Sequence, residues 1–414
     1  MQSLLILGRQ PAIGIAEVES LYGADKITPV GSKAVIVDID PCLLAFDRLG
    51  GSLKFCKVLT ELDTTNWNKI TKFLIDVSPG HSERMPEGKM NLGISAIGLN
   101  VSPAKIESTS LSLKKAIRKT GRPVRVVPNK ETEISTPQVI HNDLCSDRGW
   151  EIYLIANGNK TIVAQTVKVQ DIESYTKRDR ERPKRDSKVG MLPPKLAQTL
   201  INLAAGKIPE ESLQNICDIP AGQPIPKPIL NRTILDPFCG TGVVLQEAIL
   251  MGYSVYGSDI DQRMIDYTIQ NINNWLRGWH EYQTETSIEV GDATNIIWDN
   301  LERIDFVASE TYLGRPFTSK PDAEILAQTI SECNTIIKKF LQNIYKQIES
   351  GTRLCLAVPA WQISLSKFKH LPLIDSLSDI GYNRIKFEHA KYEDLVYARA
   401  DQIVGRELLV ITRK

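Results

Sequence analysis

The residues best suited to chemistry form the loop Asp236-Pro-Phe-Cys-Gly-Thr-Gly242, which follows a short apolar run. An apolar strand that leads into an acid, a Gly-x-Gly turn and a helix is how an open α/β sheet seats a nucleoside-bearing cofactor. A carboxylate at the entrance of such a loop would repel phosphate groups. Asp236 instead suits a cofactor with an ammonium group, and S-adenosylmethionine carries both an ammonium and a sulfonium. The loop therefore predicts a methyltransferase.

Two further acids follow the next two predicted strands. Asp259 ends the second strand and could accept hydrogen bonds from both ribose hydroxyls, while Asp292 follows the third strand and could accept from the adenine amine. The alternatives are a tight turn without ligand for the glycine loop and a surface turn for Asp292. Asp261 is expected to cap a helix. The predicted cofactor-binding residues of this region are Asp236, Phe238, Gly240, Gly242, Asp259, Ile260, Asp292 and Ala293.

The fourth predicted strand ends in Ser309-Glu-Thr-Tyr312, where amino-methyltransferases usually carry Asp/Asn-Pro-Pro-Tyr. An aromatic amine delocalises its lone pair into the ring, so groups that accept its hydrogens help the nitrogen to attack a methyl group. An aromatic side chain stacks on the flipped base. Tyr312 matches that aromatic, and either Ser309 or Glu310 would be the acceptor. Both prolines are absent, so a loop without catalytic competence is the alternative.

The bulk composition limits the possible partners and compartment. The chain has 414 residues, and its 50 Lys and Arg nearly balance 49 Asp and Glu, so nucleic acid would have to be bound by local basic patches. The seven cysteines form no Cys-x-x-Cys pair and the five histidines lie far apart, so we expect neither a metal site nor a disulfide framework, and a cytoplasmic location. No apolar run approaches the roughly 20 residues of a membrane span.

Hydrophobic periodicity predicts an α/β chain of several domains. Residues 1–60 and 61–172 show two α+β patterns, which include helices at 11–22, 41–49 and 110–119 and a hairpin around Asn157-Gly158-Asn159. Residues 177–188 read as a basic connector and residues 221–228 as a rigid proline-rich loop. From residue 233 onward, strands alternate with helices, as in a mostly parallel sheet covered on both faces. The predicted strands are 233–236, 254–259, 287–290, 304–309, 353–358, 383–389 and 407–412, with the last two antiparallel.

Four segments together resemble one family. They are Thr176–Asp186, Gly190–Ala197, the Asp236–Gly242 loop and Tyr312-Leu-Gly314, and they are similar to the THUMP-containing RNA N2-guanosine methyltransferases, most of all the branch that methylates guanosine 10 of tRNA. The resemblance implies a ferredoxin-like domain at 1–60, a THUMP RNA-binding domain at 61–172, a basic linker at 173–192 and a Rossmann-like class I methyltransferase domain at 193–414.

The same resemblance implies S-adenosylmethionine as donor, tRNA as acceptor and N2 of guanosine as the target. It places Arg182 and Pro183 beside the methionine end of the cofactor and the guanine against Ser309–Tyr312. Some members of the family require a small zinc-binding activator protein, and the resemblance leaves that requirement open. The predicted phosphate contacts are Lys114, Lys115, Arg118, Arg122 and Arg125, with a solvated helix face as the alternative.

Three functions remain open from the sequence. The first is guanine-N2 methylation of tRNA, in agreement with the resemblance. The second is amino-methylation of another nucleic acid, either adenine N6 in DNA or guanine N2 in ribosomal RNA. The target there is also an exocyclic amine, so the Ser309–Tyr312 loop would serve in the same way. The third is a catalytically weak RNA-binding protein that retains the cofactor fold, which the altered Ser309–Tyr312 motif motivates.

Overall fold

A computed structural model describes residues 2–186, 191–208, 231–276, 284–300, 303–317, 319–364, 367–399 and 402–414. The chain forms two compact units, one of Met1–Pro11, Asp25–Asp47 and Ser52–Ile172, and the other of Ala12–Ala24, Arg48–Gly51 and Glu173–Lys414. The predicted proline-rich loop at 221–228 lies outside the described residues. Among the described residues, no helix is long and apolar enough to cross a membrane.

The strands of the first unit form one mixed sheet in the order β2-β3-β1-β4-β8-β7-β5-β6. The pairs β5–β6 and β5–β7 are parallel and the others are antiparallel. The strands are β1 (Ser3–Leu7), β2 (Ile27–Val30), β3 (Ala34–Val37), β4 (Ser52–Leu62), β5 (Met90–Ile97), β6 (Val124–Val126), β7 (Gly149–Asn157) and β8 (Lys160–Val169). The antiparallel β7–β8 pair confirms the predicted hairpin.

The sheet of the first unit joins strands from both predicted N-terminal domains. Strand β4 spans the predicted boundary at residue 60 and pairs with β1 on one side and β8 on the other. The assignment of 61–172 as a THUMP domain stays a prediction.

The helices confirm part of the pattern and correct part of it. They are α1 (Pro11–Tyr22), α2 (Trp67–Glu83), α3 (Pro103–Arg118), α4 (Thr136–His141), α5 (Ile172–Arg180), α6 (Pro194–Ala205), α7 (Val243–Leu250), α8 (Gln262–Ile269) and α9 (Ala323–Ile344). The predicted helix at 41–49 is wrong: two short 3-10 turns lie there, separated at Leu44, whose backbone is extended. Part of the predicted connector at 177–188 is helical, because α5 continues to Arg180.

The second unit has a Rossmann-like sheet in the order β11-β10-β9-β12-β13-β17-β15. The pairs from β11 to β13 are parallel, whereas β17 is antiparallel to β13 and β15, which confirms the predicted final pair. The strands are β9 (Thr233–Asp236), β10 (Ser254–Asp259), β11 (Thr286–Val290), β12 (Phe306–Glu310), β13 (Arg353–Ser364), β14 (Lys367–Lys369), β15 (Tyr382–Arg384), β16 (Val396–Tyr397) and β17 (Val404–Arg413).

Helix α1 contributes to the second unit although it is near the start of the chain. The buried Glu17 carboxylate accepts hydrogen bonds from the amides of Gly50 and Gly51, at 2.9 and 2.8 Å, and from Nδ2 of Asn202 on α6, at 2.7 Å. Glu19 accepts from the amides of Glu388 and His389. Because a buried carboxylate needs such donors, these bonds fix α1 within the unit that carries the parallel sheet.

Candidate active site

A cavity of about 1180 Å³ lies where the carboxyl ends of β9, β10, β11 and β12 meet. The strand order places β9 and β12 side by side, with the connection from β9 leading toward β10 and that from β12 toward β13. Ligands of open α/β sheets bind outside the carboxyl ends of the strands at such a switch point. The cavity therefore lies where a cofactor of this fold binds.

The loop after β9 is held tightly against its neighbours. Gly240 and Gly242 have φ values of 51° and 82°, a region that favours glycine, and a Cβ at Gly242 would lie 2.8 Å from Cγ2 of Thr268. The Thr268 hydroxyl donates to the Gly240 carbonyl at 2.7 Å, and the Cys239 amide donates to the Ser258 carbonyl at 2.9 Å. Both positions therefore favour glycine by conformation, Gly242 does so by packing as well, and Gly240 lies on the cavity wall.

Asp236 ends β9 with a buried carboxylate that borders the cavity. Its Oδ1 accepts from the Ser309 hydroxyl at 2.6 Å and from the Phe238 amide at 3.3 Å. Burial raises the pKa of Asp236 to about 7, although these two hydrogen bonds favour its ionised form. A cation in the cavity would keep this carboxylate ionised.

Asp259 and Ile260 form the cavity wall at the end of β10. The two Asp259 oxygens accept the amides of Gly240 at 2.9 Å and Asp261 at 3.0 Å. A carboxylate has about four lone-pair sites, so each oxygen can accept a second hydrogen bond from a ligand. Ile260 is 71% exposed, which is unusual for a large apolar side chain and suits an apolar face of a ligand.

Asp261 is the N-cap of α8, as predicted, and accepts from the Arg263 amide at 2.9 Å. Asp292 and Ala293 also line the cavity, at the end of β11. Oδ1 of Asp292 accepts from the amide and the hydroxyl of Thr294, at 2.9 and 2.8 Å. Asp292 therefore orders its own turn and still presents an acceptor to the cavity.

Arg182, Pro183 and Gly242 do not line the cavity, whereas the other predicted cofactor contacts do. Arg182 is only 3% exposed and its guanidinium donates to Oγ1 of Thr241 at 3.4 Å. Pro183 is exposed. Next to them, Asn271 donates to the carbonyls of Lys184 and Thr241, at 3.0 and 2.9 Å. Arg182 therefore contacts the β9 loop without lining the cavity.

The two candidate acceptors, Ser309 and Glu310, differ in whether they line the cavity. Ser309 is fully buried, points its hydroxyl at Asp236 and does not line the cavity. Glu310, the last residue of β12, lines the cavity and pairs with Nε of Arg406 on β17. Tyr312 also lines the cavity, with its hydroxyl 3.4 Å from Oε1 of Glu332. The arrangement makes Glu310, and not Ser309, the acceptor that a ligand can reach.

Sequence reasoning missed Arg406. The residue lies 96 positions from Glu310 and only the antiparallel β13–β17 pairing brings it to the cavity. Burial raises the pKa of Glu310, and the Arg406 guanidinium opposes that shift. The pair therefore stabilises a carboxylate that the apolar surroundings would otherwise protonate.

The predicted RNA contacts belong to the first unit and differ in their surroundings. Lys115, Arg118 and Arg125 are exposed and Lys114 is half-buried. Arg122 instead donates to backbone carbonyls of Met85 at 3.2 Å and Pro86 at 2.5 Å, just beyond the C-terminal end of α2. Its guanidinium therefore has a structural role, which a sequence pattern of basic residues does not reveal.

No cluster of three His, Cys, Asp or Glu side chains that could hold a metal ion occurs within the described ranges. The cavity is lined by carboxylates, by arginine and lysine side chains and by aromatic rings.

The fold and the cavity define a Rossmann-like domain of the methyltransferase class. Residues 229–362 match the family model UPF0020, described as an RMKL-like methyltransferase domain. Across its whole length the chain also shares the fold of TrmN from Thermus thermophilus, with a TM-score of 0.50, 13% identity and 100% of both chains covered. That identity supports a common fold and nothing finer.

The chain is also similar to two archaeal proteins, each described as a tRNA (guanine(10)-N2)-dimethyltransferase. It is 29% identical to the one from Methanothermobacter thermautotrophicus over 171 residues, which are 41% of this chain and 39% of that protein. It is 24% identical to the one from Methanocaldococcus jannaschii over 225 residues, which are 54% of this chain and 53% of that protein. The chain thus spans about half the length of these relatives or less.

Proposed function

We propose that this protein transfers a methyl group from S-adenosylmethionine to the exocyclic N2 of a guanosine in tRNA, at position 10. The observation that carries the proposal is one continuous cavity that joins the acidic ends of β9, β10 and β11 to Glu310 and Tyr312 after β12. The names of the archaeal relatives support the choice of guanine and of tRNA.

The residues present fit the cofactor. Asp236 offers a buried carboxylate with a pKa near 7, which a cationic ligand would keep charged. Asp259 keeps acceptor capacity for ribose hydroxyls, and exposed Ile260 beside Asp292 offers an apolar and a polar contact for adenine. When bound, S-adenosylmethionine supplies the methyl group. The roles of Arg182 and Pro183 are then indirect, through the β9 loop.

At the target, Glu310 accepts a hydrogen bond from the guanine N2 amine and so directs the nitrogen lone pair toward the methyl donor. The N–H proton that the nitrogen releases once it carries the methyl group leaves along this hydrogen bond. Tyr312 stacks on the flipped base. Orientation of the amine accounts for much of the rate, since the amine itself is the nucleophile. Ser309 contributes by holding Asp236, and not by touching the amine.

Replacement of Arg406 with glutamine is expected to move the acid limb of the pH–rate profile to higher pH. The Glu310 carboxylate is required in its ionised form, and Arg406 lowers its pKa, so removal of the guanidinium raises that pKa and activity is lost earlier as pH falls. Single-turnover rates between about pH 5 and 9 measure the limb. Arg406→Lys keeps a cation and should leave the limb near its original position. Identical limbs in wild type and Arg406→Gln would contradict the role.

Recognition of the tRNA body by the first unit is part of the same proposal. Four basic side chains are exposed or half-buried and available for phosphate contacts, namely Lys114, Lys115, Arg118 and Arg125. Arg122 instead donates to backbone carbonyls. The comparisons give no support for a small zinc-binding activator. A cytoplasmic location agrees with a tRNA substrate.

A comparison of substrates tests the function. The protein is incubated with methyl-labelled S-adenosylmethionine and, separately, with unmodified tRNA, a ribosomal RNA fragment or duplex DNA. We expect label in tRNA. Label in duplex DNA alone would indicate the adenine-N6 alternative, and cofactor binding without any transfer would indicate the catalytically weak RNA-binding alternative.

A further inference from the structure

Apart from the ion pair of Glu310 with Arg406, the charged side chains that line the cavity are segregated by sign. The acids Asp186, Asp236, Asp259, Asp261 and Asp292 lie on the segments around the β9, β10 and β11 ends. The bases Arg315, Lys339 and Arg406 all lie on the other side, with Tyr312 and Phe317. Arg406 pairs with Glu310. Arg315 and Lys339 are exposed, and within the described residues neither forms an ion pair.

The loop after β12 and helix α9 together form this basic side of the cavity. The loop after β12 packs against α9 at Gly314, whose φ is 85° and where a Cβ would lie 2.7 Å from Cγ2 of Thr329 and 3.2 Å from Sγ of Cys333. Gly314 therefore brings the loop closer to α9 than any other residue would allow, and Arg315 follows it directly. The two cations are thus carried by elements in van der Waals contact.

One face of α9 reaches the cavity. Thr335, Ile336 and Lys339 line it, at the spacing that places side chains one above the other on a helix. The neighbouring residue Lys338 is also exposed but does not line the cavity. The position of Lys339 is therefore a property of that face, and not of lysines on α9 in general.

We propose that Arg315 and Lys339 form a phosphodiester-binding site at the basic side of the cavity, which holds the backbone next to the methylated nucleotide. The inference rests on the proposed function, because it assumes that the target base is part of a nucleic acid chain. The acidic side suits a cationic cofactor and repels phosphates, so the charge segregation also orients the two ligands. A phosphate held beside the flipped nucleotide fixes where its base enters the cavity.

The test compares Arg315→Ala and Lys339→Ala with Lys338→Ala. We measure the affinity for unmodified tRNA at several salt concentrations, and the affinity for S-adenosylmethionine as a check on the fold. Loss of one phosphate contact should weaken tRNA binding about 3-fold and make the slope of log affinity against log salt shallower by about 1. Lys338→Ala should match wild type, and cofactor affinity should not change in any variant.

Equal effects of Lys338→Ala and Lys339→Ala would overturn the site, as would wild-type affinity and salt slope in both Arg315→Ala and Lys339→Ala. The equilibrium readout does not depend on methyl transfer. If the protein binds tRNA without methylating it, the proposed function fails while the slopes still decide the phosphodiester site. If it methylates DNA instead, the same slopes are measured with that DNA, and no binding to either nucleic acid would refute both.

Discussion

Replacement of Glu310 with glutamine is expected to slow methyl transfer by about 100- to 1000-fold, the range for removal of one preorganised electrostatic contact. Glutamine has nearly the same shape, but its neutral amide oxygen is a weaker acceptor for the target amine. Its NH₂ group would also face the Arg406 guanidinium, to which the carboxylate is now paired. The measurement is the single-turnover rate with unmodified tRNA and saturating S-adenosylmethionine.

Ser309→Ala is the matched control. Ser309 precedes Glu310 in β12 but is buried and bonded to Asp236, away from the cavity. We expect that variant to lose some thermal stability and to retain most of its transfer rate at saturating S-adenosylmethionine, because the bound cation keeps Asp236 ionised. A larger rate loss in Ser309→Ala than in Glu310→Gln would contradict the assignment of the acceptor.

Replacement of Asp236 with asparagine is expected to weaken binding of S-adenosylmethionine by at least about 30-fold, or about 2 kcal/mol. Asparagine keeps an oxygen for the Ser309 hydroxyl and the Phe238 amide, so the loop retains its hydrogen bonds while the negative charge is lost. Calorimetric titration measures the affinity, and affinity for tRNA should not change. Wild-type cofactor affinity in this variant would refute the cofactor site.

Asp236 also predicts how cofactor affinity depends on pH. Its pKa is raised to about 7 by burial, so below that pH the free protein is protonated there and a bound cation must displace the proton. Affinity should therefore increase as pH rises from about 5.5 to about 7 and level off above, and Asp236→Asn should lose this dependence. Asp261→Asn is the control, because asparagine caps a helix as well as aspartate does.

The parts of the site that the sequence predicted are those encoded locally. The β9 and β10 strands are short and each ends in an acid, and the loop after β9 carries glycines at fixed offsets, so Asp236, Gly240 and Asp259 were predictable from neighbouring residues alone. The bounds of β9 and β10 agree with the prediction residue for residue.

The parts that were not predicted depend on distant pairings. Arg406 reaches Glu310 only through the β17 pairing, and strand β4 carries a buried Lys54 that interrupts its apolar pattern. Lys54 is tolerated there because Glu151 on β7 accepts from it at 2.6 Å. Ser309 and Glu310 looked equivalent in sequence, whereas adjacent side chains of a strand face opposite sides and only one meets the cavity.

The most direct test of the central claim is methyl transfer to two tRNA molecules that differ by one amino group. One carries guanosine at position 10, and the other carries inosine there, which lacks only the exocyclic N2 amine. We predict that label from methyl-labelled S-adenosylmethionine enters the guanosine tRNA, where nucleoside analysis finds N2-methylated guanosine, and does not enter the inosine tRNA. Equal incorporation into both would contradict the proposed target.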